Sequence, residues 1–277
     1  MRILAHISDL HFGRLNPGAP PALRASIAAS GADVVVVSGD LTQRARAREF
    51  AAARRFLDSL SVPWIVVPGN HDVPLYDIFS RWLNPLGRYR QYISDDVEPF
   101  YADREIAVLG INTARSLTFK NGRINRDQVR RGCALLGGCA DTVTRIIVTH
   151  HPFDLPATNG HDEVVGRASM AIEGFARCRV DLILSGHLHH SQTGATTLRY
   201  GDTGYSAVLV QAGTATSSRQ RTELNSYNVI SIDRPRLSID RMVWEDQSGA
   251  FAVTGSDHFR LAPLGWARSA NTAEPGM

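Results

Sequence analysis

Five apolar, strand-like segments of the sequence are each followed at once by side chains of the types that bind metal ions. These side chains are Asp9 and His11, Asp40, Asn70 to Asp72, His150 and His151, and His187 and His189. In an open α/β sheet, the carboxyl ends of the strands border a common crevice in which sites are built. We therefore expect these side chains to converge, forming a cluster of imidazole, carboxylate and amide groups that would bind metal ions.

The spacing of the candidate ligands supports this convergence. Asp9-x-His11 and His187-x-His189 have the spacing that points two side chains to the same side of an extended backbone. Glycine lets the backbone approach a cation closely because it has no Cβ. Such glycines precede ligands at Gly39, Gly69 and Gly186.

The donors are nitrogen and oxygen only, which favours two divalent ions of manganese or iron, with zinc or cobalt as alternatives, over an all-oxygen magnesium site. Two ions in one cluster need a bridging carboxylate. Asp40 is the best bridge because it follows the central-looking valine run. We assign one ion to Asp9, His11, Asp40 and His189, and the other to Asp40, Asn70, His150 and His187.

The order of these motifs resembles that of the calcineurin-like metallophosphoesterase superfamily, over residues 1 to about 230. Through His150-His151-Pro152 and the lack of a long insertion, the chain is similar to bacterial class III cyclic-nucleotide phosphodiesterases. The resemblance implies an α/β fold, a four-layer α-β-β-α sandwich of two mixed sheets. One stretch departs from the pattern: Leu41-Thr42-Gln43-Arg44 lacks the aspartate partner of the motif histidine, which argues against protein-phosphatase activity.

The resemblance also implies that a hydroxide bridging two metal ions attacks phosphorus. Asp40 is then catalytic as the bridge, and His71 would bind the phosphate or protonate the leaving oxygen. Asp72 is expected to brace the turn, and His6 to belong to the core. The predicted substrate-binding residues are Asn70, His71, His151 and Arg115, with Asn112, His161 and Arg219 as weaker candidates.

The elements that position these residues follow from apolar periodicity. Strands are predicted at Ile3–Ser8, Asp33–Ser38, Trp64–Val67, Glu105–Ile111, Arg145–Thr149 and Asp181–Ser185. Helices are predicted at Pro21–Ser30, Gln43–Leu60, Asn125–Leu136 and Val164–Arg177. The late strands are predicted at Thr196–Tyr200, Ser206–Gln211, Ser226–Ile232 and Arg236–Trp244. A βαβα run followed by antiparallel strands predicts a layered α/β sandwich.

This pattern predicts one metallophosphoesterase domain over residues 1–262, with residues 74–101 as a small cap over the site and residues 263–277 as a disordered tail. A length of 277 residues with 43% hydrophobic composition suits one large domain. No apolar run approaches the roughly 20 residues of a membrane span. Three cysteines without a CxxC pair argue against a disulfide framework and favour the reducing cytoplasm.

The net charge of +3 comes from arginines, since Lys120 is the only lysine. Five of these arginines are predicted to form a solvated helix face and not a nucleic-acid footprint. They are Arg44, Arg46, Arg48, Arg54 and Arg55.

We expect a phosphodiesterase acting on small phosphodiesters, such as cyclic nucleotides or glycerophosphodiesters. The alternatives are a phosphodiesterase for phospholipid or nucleotide-lipid head groups, a DNA exonuclease, and a non-enzymatic scaffold. A DNA enzyme would need a basic groove that the sequence does not show, so nucleic acid is not the expected partner. A scaffold would have lost ligands, whereas every expected position is filled. The sequence leaves open whether the late strands form the contact of a homodimer.

Overall fold

Two β-sheets lie face to face in the middle of the protein. This computed structural model describes residues 1–75, 77–115, 121–155, 164–201, 203–218 and 223–269. The strands of the first sheet are β1 (Arg2–Ile7), β2 (Val34–Val37), β3 (Trp64–Val66), β10 (Ser226–Asp233), β11 (Arg236–Glu245), β12 (Ala250–Ala262) and β13 (Gly265–Arg268). Those of the second are β4 (Phe100–Ala102), β5 (Ile106–Gly110), β6 (Thr144–Val148), β7 (Leu182–Ser185), β8 (Gln192–Ala195) and β9 (Val208–Gln211).

Both sheets are mixed. The first has the order β13-β12-β11-β10-β1-β2-β3, in which β1, β2 and β3 are parallel and β10 runs antiparallel to β1. The second has the order β4-β5-β6-β7-β9-β8, with a parallel centre and antiparallel edges. The parallel strands of the two sheets carry the candidate ligands at their carboxyl ends.

Helices connect the parallel strands and cover the outer faces of the sheets. They are α1 (Ala19–Ala29), α2 (Ala47–Asp58), α3 (Ile78–Leu83), α4 (Gly87–Tyr92), α5 (Arg126–Gly137), α6 (Ala168–Arg177) and α7 (Thr196–Tyr200), with a 3₁₀ turn at Asn70–Asp72. Asn125 caps α5, because its side chain accepts a hydrogen bond from the Gln128 backbone N–H at 2.9 Å. In the described part of the chain, no helix has the length and apolar character needed to cross a membrane.

Alternating side chains of the buried strands build separate apolar layers. In β1, Leu4 packs between the two sheets, whereas Ala5 and Ile7 pack outward against the helices. The same alternation in β6 sends Ile146 inward and Ile147 outward toward α5 and α6. The fold therefore has four layers, which are helices, the first sheet, the second sheet and helices, and an apolar layer lies between each pair of neighbours. This confirms the predicted four-layer α-β-β-α sandwich.

One predicted strand is wrong. Residues 196–200 form α7, although their threonines favour a strand. The Thr196 N–H still donates to the Ala207 carbonyl at 2.9 Å, but the chain then turns away from β9 and leaves Leu198 exposed. Strand propensity is overridden because residues 197–200 have no strand beside them to pair with.

The disordered tail was predicted to begin at residue 263, which is too early. Residues 265–268 form β13, which pairs with β12 and buries the Trp266 side chain in the core between the sheets. Burial of this one large side chain orders a segment whose remaining residues are small and polar. Residues 270–277 lie outside the described residues. The single domain and the cap at residues 74–101, which contain α3 and α4, stay predictions.

The prediction against a disulfide is also wrong. Cys133 on α5 and Cys178 at the end of α6 form a disulfide, with their Cα atoms 5.4 Å apart. The two cysteines are separated by 45 positions in the sequence. No local spacing signals the pair, because it depends on α5 and α6 packing side by side.

A buried carboxylate links the two sheets at the end opposite the candidate ligands. Asp181, just before β7, accepts hydrogen bonds from the Arg145 backbone N–H at 2.8 Å and the Arg234 guanidinium at 3.1 Å. Its other oxygen accepts from the Tyr205 hydroxyl at 2.6 Å and the Trp266 indole N–H at 2.8 Å. One side chain therefore satisfies donors from both sheets.

We expect Asp181→Ala to lower the free energy of unfolding by about 3–5 kcal/mol, because buried donors lose a charged partner. Tyr205→Phe removes only one of these hydrogen bonds and should cost about 1 kcal/mol. Urea denaturation followed by circular dichroism measures both. Equal, small losses for the two variants would show that Asp181 does not link the sheets.

Candidate metal centre

The carboxyl ends of five strands meet at one edge of the sandwich. Asp9 follows β1, Asp40 follows β2, Asn70 follows β3, and the histidine pairs follow β6 and β7. The Asp9 N–H donates to the Gly39 carbonyl at 3.1 Å, and the Gly186 N–H donates to the His150 carbonyl at 3.0 Å. The structure thus brings together all seven predicted ligands, which we call the metal cluster: Asp9, His11, Asp40, Asn70, His150, His187 and His189.

Left-handed backbone conformations, and not extended ones, aim many of these side chains. Eight described residues other than glycine have positive φ, and five of them belong to the metal cluster. The pairs Asp9-x-His11 and His187-x-His189 do converge, but the predicted extended geometry is wrong. The five residues are Asp9 (φ 52°), His11 (48°), Asp40 (54°), His187 (78°) and His189 (59°).

One half of the metal cluster joins Asp9, His11 and His189, all of which are buried. Asp9 Oδ1 lies 3.5 Å from His11 Nε2 and 3.3 Å from His189 Nε2. The two imidazole nitrogens are 3.4 Å apart. Asp9 Oδ1 is also a buried oxygen with no hydrogen-bond donor among the described residues. A carboxylate oxygen and two imidazole nitrogens that face one point fit a divalent cation.

The other half joins Asn70, His150 and His187. Asn70 Oδ1 lies 2.9 Å from His150 Nε2 and 3.0 Å from His187 Nδ1. His150 Nδ1 donates to the Ser38 carbonyl at 2.8 Å, so in the neutral ring Nε2 carries the lone pair that faces the cluster. This half also offers ligand atoms of the types that a divalent ion prefers.

Asp40 lies between the two halves. Its Oδ2 is 3.8 Å from His11 Nε2, and its Oδ1 is 3.4 Å from His150 Nε2. Each carboxylate oxygen therefore faces a different half of the metal cluster. The His71 backbone N–H donates to Oδ1 at 2.9 Å and orients the carboxylate. This is the arrangement expected of a bridging ligand.

The electrostatics of the cluster suit cation binding. Burial lowers the pKa of His187 to about 3, with His150 acting in the same direction, so its imidazole is neutral and able to ligate. Burial opposes ionisation of Asp9, but the neighbouring histidines, His189 first, hold its pKa well below its usual range. For Asp40, burial is likewise outweighed by histidines, His150 first, and its pKa is also lowered. Two buried carboxylates thus stay anionic.

Asp72 braces the turn as predicted. Its carboxylate accepts hydrogen bonds from the backbone N–H groups of Leu41 at 3.2 Å, Thr42 at 2.9 Å and Gly69 at 2.9 Å. Burial and the nearby Asp40 charge raise the pKa of Asp72 to about 6. These bonds fix the loops after β2 and β3 relative to each other.

The structure supplies a replacement for the missing aspartate partner of His71. His71 Nδ1 donates to the Gln43 backbone carbonyl at 2.9 Å, and the His71 ring stands edge-on to His11 at 4.9 Å between centroids. His71 is therefore held beside the metal cluster through Nδ1. The catalytic role of His71 stays a prediction.

Three of the other predicted substrate-binding residues have hydrogen-bond partners within the protein, and their role toward a substrate stays a prediction. His151 is buried, bonds through Nδ1 to Thr113 Oγ1 at 2.8 Å, and lies 4.7 Å from the His187 ring. Arg115 donates to Gln128 Oε1 on α5 at 3.0 Å, which ties it to that helix. The Asn112 side chain accepts from the Ala114 N–H at 3.0 Å. His161 and Arg219 lie outside the described residues.

Sequence reasoning missed the hydroxyl groups that orient the ligands. Thr214, after β9, lies with its Oγ1 2.7 Å from His189 Nδ1, and Ser8 donates to Asp9 Oδ2 at 2.6 Å. His6, as predicted, is a core residue, bonded to Ser38 Oγ at 3.0 Å. The available signal for Thr214 was Gly213-Thr214, which follows a buried strand in the same way as the other site segments.

Comparison with known proteins identifies the family. The model of the family described as calcineurin-like phosphoesterase matches residues 2–191. The chain belongs to this family. Three groups of its histidine and aspartate side chains could hold divalent metal ions of the kind used in this family.

Among known relatives, the chain is 31% identical over 167 residues to the glycerophosphodiester phosphodiesterase GpdQ of Enterobacter lignolyticus. The match covers 55% of this chain and 58% of that protein, so it spans little more than half of the relative.

Two solved structures share the fold at 14% sequence identity. Purple acid phosphatase PPD1 from yellow lupin gives a TM-score of 0.67 over 92% of this chain and 53% of its own. A dimetal phosphatase from Danio rerio gives 0.63 over 87% of this chain and 95% of its own.

We expect Thr214→Val to weaken metal binding roughly tenfold or more, because His189 loses the hydroxyl that orients it. Competition between the protein and a fluorescent chelator for Mn²⁺ or Zn²⁺ measures the affinity without using activity. Thr254→Val, on the exposed part of β12, is the matched control and should leave the affinity unchanged. An unchanged affinity in Thr214→Val would rule out this orienting role.

Proposed function

We propose that this calcineurin-like phosphoesterase is a two-metal phosphodiesterase that hydrolyses small phosphodiesters, such as glycerophosphodiesters or cyclic nucleotides. The observation that carries the proposal is the position of Asp40, whose two oxygens face different halves of the metal cluster. A carboxylate placed in this way can serve two ions at once. The filled ligand positions argue against the alternative of a non-enzymatic scaffold.

In this proposal, the ligands are divided as the sequence predicts. One ion would be held by Asp9, His11 and His189, the other would be held by Asn70, His150 and His187, and Asp40 would contribute to both sites. The mixed nitrogen and oxygen donors favour manganese or iron, with zinc and cobalt as alternatives. When bound, such a pair of ions supplies an acidified water and neutralises charge on the phosphoryl oxygens.

The protein's own contribution is to orient the substrate and to move a proton. Nδ1 of His71 is fixed by the Gln43 carbonyl, so the ring presents Nε2 toward a substrate at the metal cluster. From there it can donate a hydrogen bond to the phosphate or a proton to the leaving alkoxide. Asn70 and His71 share one turn, so ligand and proton donor are positioned together by Asp72.

The diester preference is supported by two separate observations. The relative GpdQ is named for glycerophosphodiesters, and its match includes 55% of this chain. In addition, His71 is held by a neutral carbonyl where protein phosphatases of the superfamily carry an aspartate, as the sequence resemblance implies. A DNA exonuclease remains the alternative to be tested by substrate choice.

Asp40→Ala should abolish turnover and lower the number of bound ions, because both halves of the cluster lose their common ligand. Elemental analysis of the purified protein gives the metal content, and Mn²⁺-dependent hydrolysis of bis(p-nitrophenyl) phosphate gives the activity. A chelator should remove the activity of the unsubstituted protein. Asp141→Ala, an exposed carboxylate, is the control. Full activity in Asp40→Ala would contradict the bridging role.

His71→Ala should keep its metal and lose roughly 10²–10⁴-fold in turnover, the usual contribution of a positioned acid or base. His258→Ala, on β12, is the matched control. Loss of metal in His71→Ala would instead make His71 a ligand. The same assays with glycerophosphocholine, 3′,5′- and 2′,3′-cyclic nucleotides and single-stranded DNA identify the substrate class, and a preference for DNA would overturn the small-diester proposal.

A further inference from the structure

Helix α3 reverses the usual arrangement of a surface helix. Arg81 is buried, and its guanidinium donates to the Pro74 carbonyl at 3.0 Å. The apolar residues Phe79, Trp82 and Leu83 are instead 82%, 67% and 84% exposed. A helix that faces water normally buries its apolar side chains and exposes its charges. The outer face of α3 is therefore suited to a partner less polar than water.

Together with Leu75, these exposed side chains form what we call the apolar stripe: Leu75, Phe79, Trp82 and Leu83. Phe79, Trp82 and Leu83 share one face of α3 through their i, i+3 and i+4 spacing. Leu75 precedes the helix and is also exposed. The 3₁₀ turn Asn70–Asp72, which contains the predicted ligand Asn70, ends three residues before Leu75, so the stripe follows the metal cluster closely along the chain.

An arginine patch accompanies the apolar stripe. Segments 43–50 and 73–92 contain six arginines against two carboxylates, whereas the whole chain has a net charge of only +3. Positive charge is thus concentrated here, and the rest of the chain is slightly acidic. The patch consists of Arg44, Arg46, Arg48, Arg88 and Arg90.

Direct contacts hold the patch and the stripe together. The Arg88 guanidinium donates to the Ala45 carbonyl at 3.0 Å and lies 3.5 Å from Asp77, inside the stripe segment. The Gln43 carbonyl, at the start of the same loop, accepts from His71. Patch, stripe and metal cluster are therefore neighbouring parts of one surface.

We propose that the apolar stripe and the arginine patch dock on a membrane surface that contains anionic lipids. Trp82, Phe79 and the leucines enter the interface between head groups and acyl chains, and the arginines contact lipid phosphates. Self-association through this surface would bring one arginine patch against another. Nucleic acid would use the arginines but leave the leucines of the stripe without a role. Charge and apolar character together favour the lipid surface.

Docking goes beyond the proposed function and is measured without turnover. The full chain should co-sediment with vesicles of phosphatidylcholine containing 30% phosphatidylglycerol, in the presence or absence of chelator, and bind pure phosphatidylcholine vesicles more weakly. Of the four tryptophans, Trp82 is the exposed one, so vesicles should shift the emission to the blue in the unsubstituted protein and not in Trp82→Leu. Vesicle binding with inactive protein would refute only the proposed function.

The double variant Phe79→Ser/Trp82→Ser should lose roughly tenfold or more in vesicle affinity. Leu198→Ser/Leu264→Ser, which removes exposed apolar side chains elsewhere, is the matched control and should bind normally. Arg46→Ala/Arg48→Ala should weaken binding to the anionic vesicles by about fivefold for each charge, whereas Arg126→Ala/Arg130→Ala on α5 should not.

Several results would overturn the proposal. They are the absence of vesicle binding, binding that the Phe79→Ser/Trp82→Ser change does not affect, and a dimer in sedimentation velocity that this change dissolves. Binding of single-stranded DNA in preference to vesicles would assign the arginine patch to nucleic acid instead. Far-UV circular dichroism and thermal unfolding like those of the unsubstituted protein serve as the check that each variant is folded.

Discussion

Two buried carboxylates beside a group of imidazoles form the constraint on which the rest of this structure depends. Removing Asp9 and Asp40 from water costs free energy that few nearby groups can offset. The His187 N–H donates to Asp9 at 3.0 Å, and the His71 N–H donates to Asp40 at 2.9 Å. These donors stabilise one oxygen of each carboxylate. Asp9 Oδ1 keeps no donor among the described residues, and a cation is the group that would complete it.

The fold also has to support unfavourable backbone conformations at this site. A non-glycine residue held in a sparsely populated backbone region costs about 1–3 kcal/mol, and five such residues belong to the metal cluster. The apolar layer between the sheets includes valines and isoleucines from both, and it fixes the strands from which these residues emerge. The rigidity of the sandwich is what allows ligands from five separate loops to hold one geometry.

The ligands could be predicted because their signal is local: a buried strand, a short turn and a metal-binding side chain. The elements that prediction missed depend on distant neighbours. α7 is helical because residues 197–200 lack a strand partner, and β13 is ordered because Trp266 reaches the core between the sheets. The disulfide requires α5 and α6 to pack together. The residue types also do not reveal the backbone conformation at the site. Asp9 and His11 were expected to have an extended backbone, but their backbone is left-handed.

The hydrogen-bond partner of His71 affects the charge beside the metal cluster, because a backbone carbonyl takes the place of a carboxylate. A carboxylate beside His71 would orient the ring, but it would also add negative charge beside the metal cluster. The Gln43 carbonyl orients the ring without that charge. Arg44 and Arg46 follow in the same loop, Arg48 lies in the first turn of α2, and all three are exposed. If metal ions neutralise the two buried carboxylates as proposed, the exposed arginines would make the surface near His71 positive, and such a surface attracts phosphate groups.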